Sequence, residues 1–446
     1  MDIGVFLIKA GQLVLSLSIL VVLHELGHFL PARFFKIKIE KFYLFFNPWF
    51  SLAKKKIGDT EWGIGWLPLG GYVKIAGMVD ESMDTEQLKQ PAQPWEFRSK
   101  PAWQRLIVMI GGVVVNLVLG IVIYIGIAGY WGDEMIKPAD LKKGYGVNAL
   151  GEKYGFEDGD MITKMDGIAL EDASSRKVNK AILLRNVRKI EVRKVDGGLK
   201  TYTLPANISN LMFEQGEVSM FQERTRAVVD STFPKSPAKL CGLKKGDIIL
   251  ALNNNTVQYY DEFMQLIKNK MNKAVSISVL RNGDTVLLKT RTDEKGKLGF
   301  AAGMTDMKNI KVTEVKYGFG ASIGKGLSNG IWTLRDYVSQ LKYLFTKKGA
   351  TEIGGFAAMG NMFGAEWNWE AFWHTTALIS IILAFMNILP IPALDGGHVV
   401  FLIYEMITGK EAPQKVLEYA QMAGIIILLS LMLYANGNDI YRIFFK

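Results

Sequence analysis

His24, Glu25, Leu26, Gly27 and His28 run consecutively in the chain. On a helix, residues four apart share a face, so both imidazoles can aim a nitrogen at one metal ion. Glu25 stands beside that face, where its carboxylate can take a proton from a metal-activated water, as in hydrolytic H-E-x-x-H sites. The pattern also arises by chance, so its location carries the weight. It closes an apolar run, Ile3 to Leu23, whose only charge is Lys9. Ionisable groups at the end of such a run are costly to keep and point to function.

A hydrolytic zinc site usually has three protein ligands and one open position. Finding the third ligand requires the elements that set depth. The first run continues apolar to Leu30 and is followed by no A-x-A-like site, so it reads as a span and not a cleaved leader. Two further uncharged runs, Leu106 to Trp131 and Ala371 to Leu394, are long enough to cross a bilayer, and a shorter one covers Met422 to Tyr434. Arg33, Lys36, Lys38 and Lys41 follow the first run, and Arg98, Lys100 and Arg105 precede the second, whereas residues 349–371 contain no Lys or Arg. By the positive-inside rule residues 32–104 are cytoplasmic and the long segment 132–370 lies on the translocated side. His24 then lies near the inner face. His374, at the outer start of the third run, is at the wrong depth and reads as interfacial. Asp395, at the inner end of that run, is at the right depth and lies nearer the span than His398. Its alternative reading is a helix-terminating Asp-Gly turn. Pro390 and Pro392 break the helix just before it, and irregular backbone at membrane depth is tolerated only where it lines a cavity or is packed in protein. Asn387 could hydrogen-bond a substrate backbone or an oxyanion, or simply cap or bridge helices.

Composition agrees with this layout. The 446 residues are 49% hydrophobic with a net charge of +10 and one cysteine. That excludes a disordered chain, a disulfide framework and a Cys-rich zinc finger. The positive charge reads as a topology signal and an attraction to the lipid bilayer. No nucleic-acid motif or basic stripe with interleaved aromatics suggests a nucleic-acid partner.

The polar insert contains a repeat. Gly155 to Gly167 and Gly242 to Asn254 share a G-x-x-x-G-D turn leading into a hydrophobic strand. A domain-sized interval favours two tandem domains over a solenoid. In the second copy, Tyr260–Asn269 reads as a short helix and Ala274–Leu280 with Thr285–Leu288 as a hairpin turning at Asn282-Gly283. Both copies resemble PDZ domains of bacterial proteases, most clearly over Ser236 to Asp247. PDZ domains commonly bind peptide ends by strand addition. After them Ile323, Leu327, Ile331, Leu334, Val338, Leu341 and Leu344 predict an amphipathic helix, on the membrane surface or against the PDZ-like pair.

His24 to His28, taken with Asn387 to His398, resembles the site-2 protease family of intramembrane zinc metalloproteases. The resemblance implies Zn2+ held by His24, His28 and Asp395, Glu25 as general base, and Asn387 in contact with substrate. It likens Gly63 to Lys74 to a membrane-associated β loop, with Gly70, Gly71 and Tyr72 binding an unwound substrate strand. Taken alone, that stretch reads as a Gly/Pro turn between strands. One departure is Gly112-Val113-Val114-Val115-Asn116, where relatives often carry Gly-Pro before the Asn; it bears on helix shape and not on catalysis.

The expected fold is a polytopic α-helical membrane protein of about four spans. Its soluble insert holds two tandem PDZ-like α+β domains, and a membrane-associated β loop follows the first span. Its parts are 1–31, first span; 32–104, cytoplasmic segment with the β loop; 105–132, second span; 133–218 and 219–308, PDZ-like domains; 309–349, amphipathic helix; 350–397, third span; and 398–446, fourth span and tail. The family resemblance implies a bacterial inner membrane with the insert periplasmic. It implies cleavage of a membrane-protein transmembrane helix of the anti-sigma-factor type, or of remnant signal peptides. PDZ peptide ligands are further expected partners. The rival readings are an inactive membrane-anchored PDZ scaffold and an intramembrane metal carrier, neither of which needs Glu25 between two ligands.

Overall fold

The computed structural model describes residues 3–68, 70–78, 90–216, 218–344 and 346–445. Leu69, inside the expected β loop, and Lys446, in the tail, lie outside the described residues. Among the described residues, four helices are long and apolar enough to cross a membrane: Ile3–Phe34, Ala102–Tyr130, Trp369–Ile388 and Gln414–Phe445. The chain divides into two units, residues 133–315 and the two segments that flank them.

In the flanking unit, small and hydroxyl residues let the spans approach closely, as helices do in lipid where apolar burial alone drives little association. Gly27 on the first span meets the backbone of Gly111 on the second; a Cβ on Gly27 would lie 2.5 Å from the Gly111 carbonyl oxygen. Ser16 and Thr376 share a buried 3.0 Å hydrogen bond between the first and third spans. Ser380 Oγ donates to the Asn116 carbonyl at 2.7 Å, joining the third span to the second.

Four strands follow the first span: β1 (Ile39–Leu44), β2 (Ala53–Ile57), β3 (Thr60–Ile64) and β4 (Tyr72–Ile75). They form one sheet in the order β2-β3-β1-β4, with β1 parallel to β3 and antiparallel to β4. The connection from β3 to β4 is the Gly/Pro-rich stretch expected to turn between two strands. Phe29 of the first span packs on Phe42 and Trp62, which stack 4.5 Å apart. That contact ties the sheet to the helix carrying the histidines, and among the described residues β4 is an end strand of the sheet.

Two expectations are corrected here. The third span does not continue to Asp395: its helix ends at Ile388, and Asp395 is the first residue of a separate helix, Asp395–Thr408. Pro390 and Pro392 break the chain as expected, but the helix restarts after a short loop instead of stopping at a terminal Asp-Gly turn. The amphipathic helix, Phe319–Leu344, packs along the second span, and its apolar stripe points outward. Ile323, Leu327, Ile331, Val338 and Leu344 are exposed, while Ser322, Gly326 and Gly330 are buried. A Cβ on Gly330 would lie 2.7 Å from Ile121, and Gly326 meets Ile125. Small residues face the neighbouring helix and large apolar ones face away, the inverse of a helix packed on a soluble core.

Residues 133–315 contain two cores. One gathers Tyr145, Phe156, Ile162 and Phe221; the other Ile249, Leu252, Phe263 and Ile277. The halves repeat one sheet order, with Ile168–Ala169, Met161–Met165, Lys189–Arg193 and Leu199–Thr203 matched by Asn255–Thr256, Ile248–Leu252, Ala274–Arg281 and Asp284–Arg291. Each G-x-x-x-G-D turn puts its second glycine at positive φ, 93° at Gly159 and 91° at Gly246. Its aspartate then accepts a backbone N–H three residues back, from Glu157 to Asp160 and from Lys244 to Asp247. Met220 and Phe221 belong to the first core, and the second begins at Ala227. The segment is closed by Asp133–Met135 pairing with Thr313–Val315.

Candidate active site

The first span carries His24 and His28 on one face, with their Nε2 atoms 3.2 Å apart. Asp395 Oδ2 is 3.4 Å from each of them. Ligand atoms ~2.0–2.1 Å from a tetrahedral zinc lie roughly 3.3 Å from one another, so these three atoms already outline one face of a zinc tetrahedron. Asp395 Oδ2 is buried with no hydrogen-bond partner, as expected of an atom reserved for an ion. Among the described residues this is the one such group of His, Cys, Asp or Glu. The donor set suits zinc, and the three residues line one cavity.

The loop Leu389–Leu394 delivers Asp395. Ala393 adopts a left-handed φ of 75°, and its N–H donates to Gln421 Oε1 of the last helix at 3.2 Å. Gly396 and Gly397 then let the new helix pack onto that loop. A Cβ on Gly397 would lie 2.7 Å from the Ile391 oxygen, and Gly396 meets the Ile388 and Leu389 carbonyls. Both glycines of the Asp-Gly-Gly sequence therefore serve close approach.

The site opens into a cavity of about 610 Å³ lined by Glu25, Asn116, Asn387 and the start of β4, together with the three ligand candidates. Glu25 is buried on its wall. Asn387 Nδ2 lies 3.4 Å from His24 Nε2 and lines the same cavity. Gly71 comes close to the site because it has no side chain: a Cβ there would lie 2.6 Å from both the Tyr43 oxygen and Val21, and 3.6 Å from Glu25 Cγ. Gly70 sits over Phe46. Tyr72 stacks on Tyr43 and donates to Asn47 Oδ1 at 2.9 Å, so its hydroxyl serves the sheet although the residue also lines the cavity. His398 lines the cavity but stands outside the three-residue cluster, and His374 is exposed beside Tyr124.

Sequence reasoning missed what the second span contributes. His28 Nδ1 is 2.8 Å from the Val108 carbonyl, and His24 Nδ1 is 3.2 Å from the Asn116 side-chain amide. Between them, Gly112 leaves room for both imidazoles. A Cβ there would intrude on His28 Nε2 and lie 2.6 Å from His24 Cε1. The Gly112 to Asn116 stretch thus touches the site and does more than shape its helix. The available signal was Asn116 itself, an amide in an otherwise apolar run.

Two histidines, a carboxylate and an adjacent acid around a cavity, carried by helices long and apolar enough to cross a membrane, are the makings of a metallohydrolase. Comparison with known proteins agrees. The model of peptidase family M50 matches residues 12–431. A regulator of sigma E protease from Haemophilus influenzae is 30% identical over 458 residues, covering 98% of this chain and 100% of that one. A putative zinc metalloprotease from Neisseria meningitidis is 26% identical over 96% of this chain and 98% of its own. The regulator of sigma-E protease RseP from Escherichia coli is 26% identical over 98% of this chain and 99% of its own. The chain belongs to peptidase family M50, the site-2 proteases, and is a zinc metalloprotease.

Proposed function

We propose that the protein cleaves a peptide bond within or near the transmembrane segment of a single-pass membrane protein, with His24, His28 and Asp395 holding zinc and Glu25 moving the proton. The observation that carries this reading is the triangle of Nε2, Nε2 and Oδ2 atoms at 3.2–3.4 Å with Glu25 beside it on the cavity wall. Zinc, when bound, supplies the Lewis acid that polarises a scissile carbonyl and acidifies water. Glu25 takes a proton from the attacking water and returns it to the leaving amine. Asn387 is placed to hold a substrate carbonyl or the developing oxyanion by its amide N–H. A helical substrate hides its peptide bonds in its own hydrogen bonds, so it must unwind before attack. β4, the end strand of its sheet among the described residues, with Gly70, Gly71 and Tyr72 at its start, is the strand on which such an unwound substrate would add.

The Lys/Arg flanks support a bacterial inner-membrane setting with residues 133–315 periplasmic as two PDZ-like domains. There they would hold back substrates still carrying large outer domains and bind peptide ends. The names of the relatives favour a substrate of the anti-sigma-factor type. Remnant signal peptides offer the same kind of helix.

The test is cleavage of single-pass reporter substrates in membranes, together with zinc content. Asp395→Ala should lose both bound zinc and cleavage. Undiminished zinc in that variant would refute the ligand assignment, and wild-type protein unable to cut an unwindable transmembrane reporter would refute the substrate class.

A further inference from the structure

We propose that Asn116 is a positioning residue that accepts a hydrogen bond from His24 Nδ1–H and so fixes the imidazole tautomer that leaves Nε2 free for the metal. The proposal rests on the zinc site described above and extends it to the second span.

Asn116 is 1% exposed, within a span that carries no charge from Leu106 to Trp131. A buried amide at membrane depth is costly unless it has a task. The bond to Ser380 makes no use of this side chain, because it is made by the Asn116 backbone carbonyl. The side-chain contact sets the amide nitrogen, Nδ2, 3.2 Å from His24 Nδ1 and leaves the oxygen, Oδ1, buried with no partner; a half-turn of the amide brings the oxygen to Nδ1 instead.

The chemistry of the imidazole decides which amide atom must face it. A neutral histidine that coordinates through Nε2 carries its proton on Nδ1, and that proton needs an acceptor. For His28 the acceptor is the Val108 carbonyl at 2.8 Å, which can do nothing else. For His24 the second span offers the Gly112 backbone and, at 3.2 Å, the side-chain amide of Asn116, which presents oxygen or nitrogen on a half-turn about its last bond. With oxygen facing Nδ1–H, both ligands are held in the metal-binding tautomer. Val108, Gly112 and Asn116 recur every four residues, so one stripe of the second span supplies acceptor, clearance and acceptor.

The experiment is zinc affinity of the full-length protein in detergent, measured by chelator competition. Asn116→Leu keeps the volume but removes the acceptor, and zinc should bind about 10- to 100-fold more weakly. Asn116→Asp restores an acceptor and should bind within a few-fold of wild type. Affinity of Asn116→Leu equal to wild type would overturn the proposal. So would equal losses in the Leu and Asp variants, which indicate packing alone. His24→Ala and Asp395→Ala separate the two levels: if they bind zinc as wild type does, the zinc assignment itself is wrong. If they lose it while Asn116→Leu does not, only the role of Asn116 is.

Discussion

Gly112→Ala adds one methyl group at the point where the second span faces both histidines. Its Cβ would intrude on His28 Nε2 and stand 2.6 Å from His24 Cε1 and 2.8 Å from His24 Nδ1. Ordinary contact needs well over 3 Å, so the rings or the helix must shift by something approaching 1 Å. The ligand triangle has edges of 3.2–3.4 Å, leaving no slack for such a shift. Disturbing what supports a metal ligand typically weakens binding ~10- to 100-fold, and a misplacement of about 1 Å can lower a rate on the order of 10²-fold. Ala is the better helix former by about 1 kcal/mol, so poorer helix propensity cannot explain a loss. Gly126, on the same span, faces open space: a Cβ there would meet nothing within 4 Å, which makes Gly126→Ala the matched control. Zinc affinity by chelator competition and cleavage of a transmembrane reporter should both fall for Gly112→Ala and hold for Gly126→Ala. Wild-type zinc affinity in Gly112→Ala would refute the packing argument.

Three further outcomes are expected. Gly71→Ala forces a methyl group to 2.6 Å from the Tyr43 oxygen and Val21, so cleavage should fall on the order of 10-fold while zinc content stays unchanged; parallel loss of zinc would show that β4 supports the metal site instead of the substrate. Ala393→Pro cannot adopt φ 75° and removes the N–H donated to Gln421, so it should cost ~3 kcal/mol or more and release zinc, whereas Ala393→Gly should retain it; equal behaviour in metal analysis would refute the role given to this turn. In the insert, burial opposes ionisation of Asp306, but hydrogen bonds from Lys143 and Arg226 hold its carboxyl well below the ordinary carboxylate range. A depressed folded-state value gives stability that is complete above the unfolded value near pH 4 and is lost as the pH falls below it. Asp306→Asn should therefore loosen residues 133–315 at pH 7 by about 1–3 kcal/mol and blunt their acid sensitivity; hydrogen exchange identical to wild type at both pH values would contradict this.

The chemistry-bearing residues were legible because their signals are local or topological. His24 and His28 announce themselves by helical spacing, and Asp395 by the depth that the Lys/Arg flanks assign to the third run. The loop before Asp395 was legible as a break, from Pro390 and Pro392, but not as the start of a helix, since Asp-Gly-Gly carries poor helix propensity. Its glycines are explained by carbonyls of the preceding loop, which no spacing rule exposes. Nor could any side-chain pattern reveal the Val108 carbonyl as a partner of His28. For the Phe319–Leu344 helix the apolar stripe was legible, but not the opposite face that packs on the second span. In this unit Ser322, Gly326 and Gly330 make the contact instead.

The central claim is that this is a zinc hydrolase in which Glu25 handles the proton and does not hold the metal. Glu25→Gln keeps the shape of the side chain and removes its basicity, and loss of a general base typically costs ~10²–10⁴-fold in rate. Metal analysis and reporter cleavage on the same preparation decide the matter. The account predicts that Glu25→Gln binds zinc as wild type does and cleaves at a rate lower by at least about 10²-fold; a variant that still cleaves at the wild-type rate would contradict it.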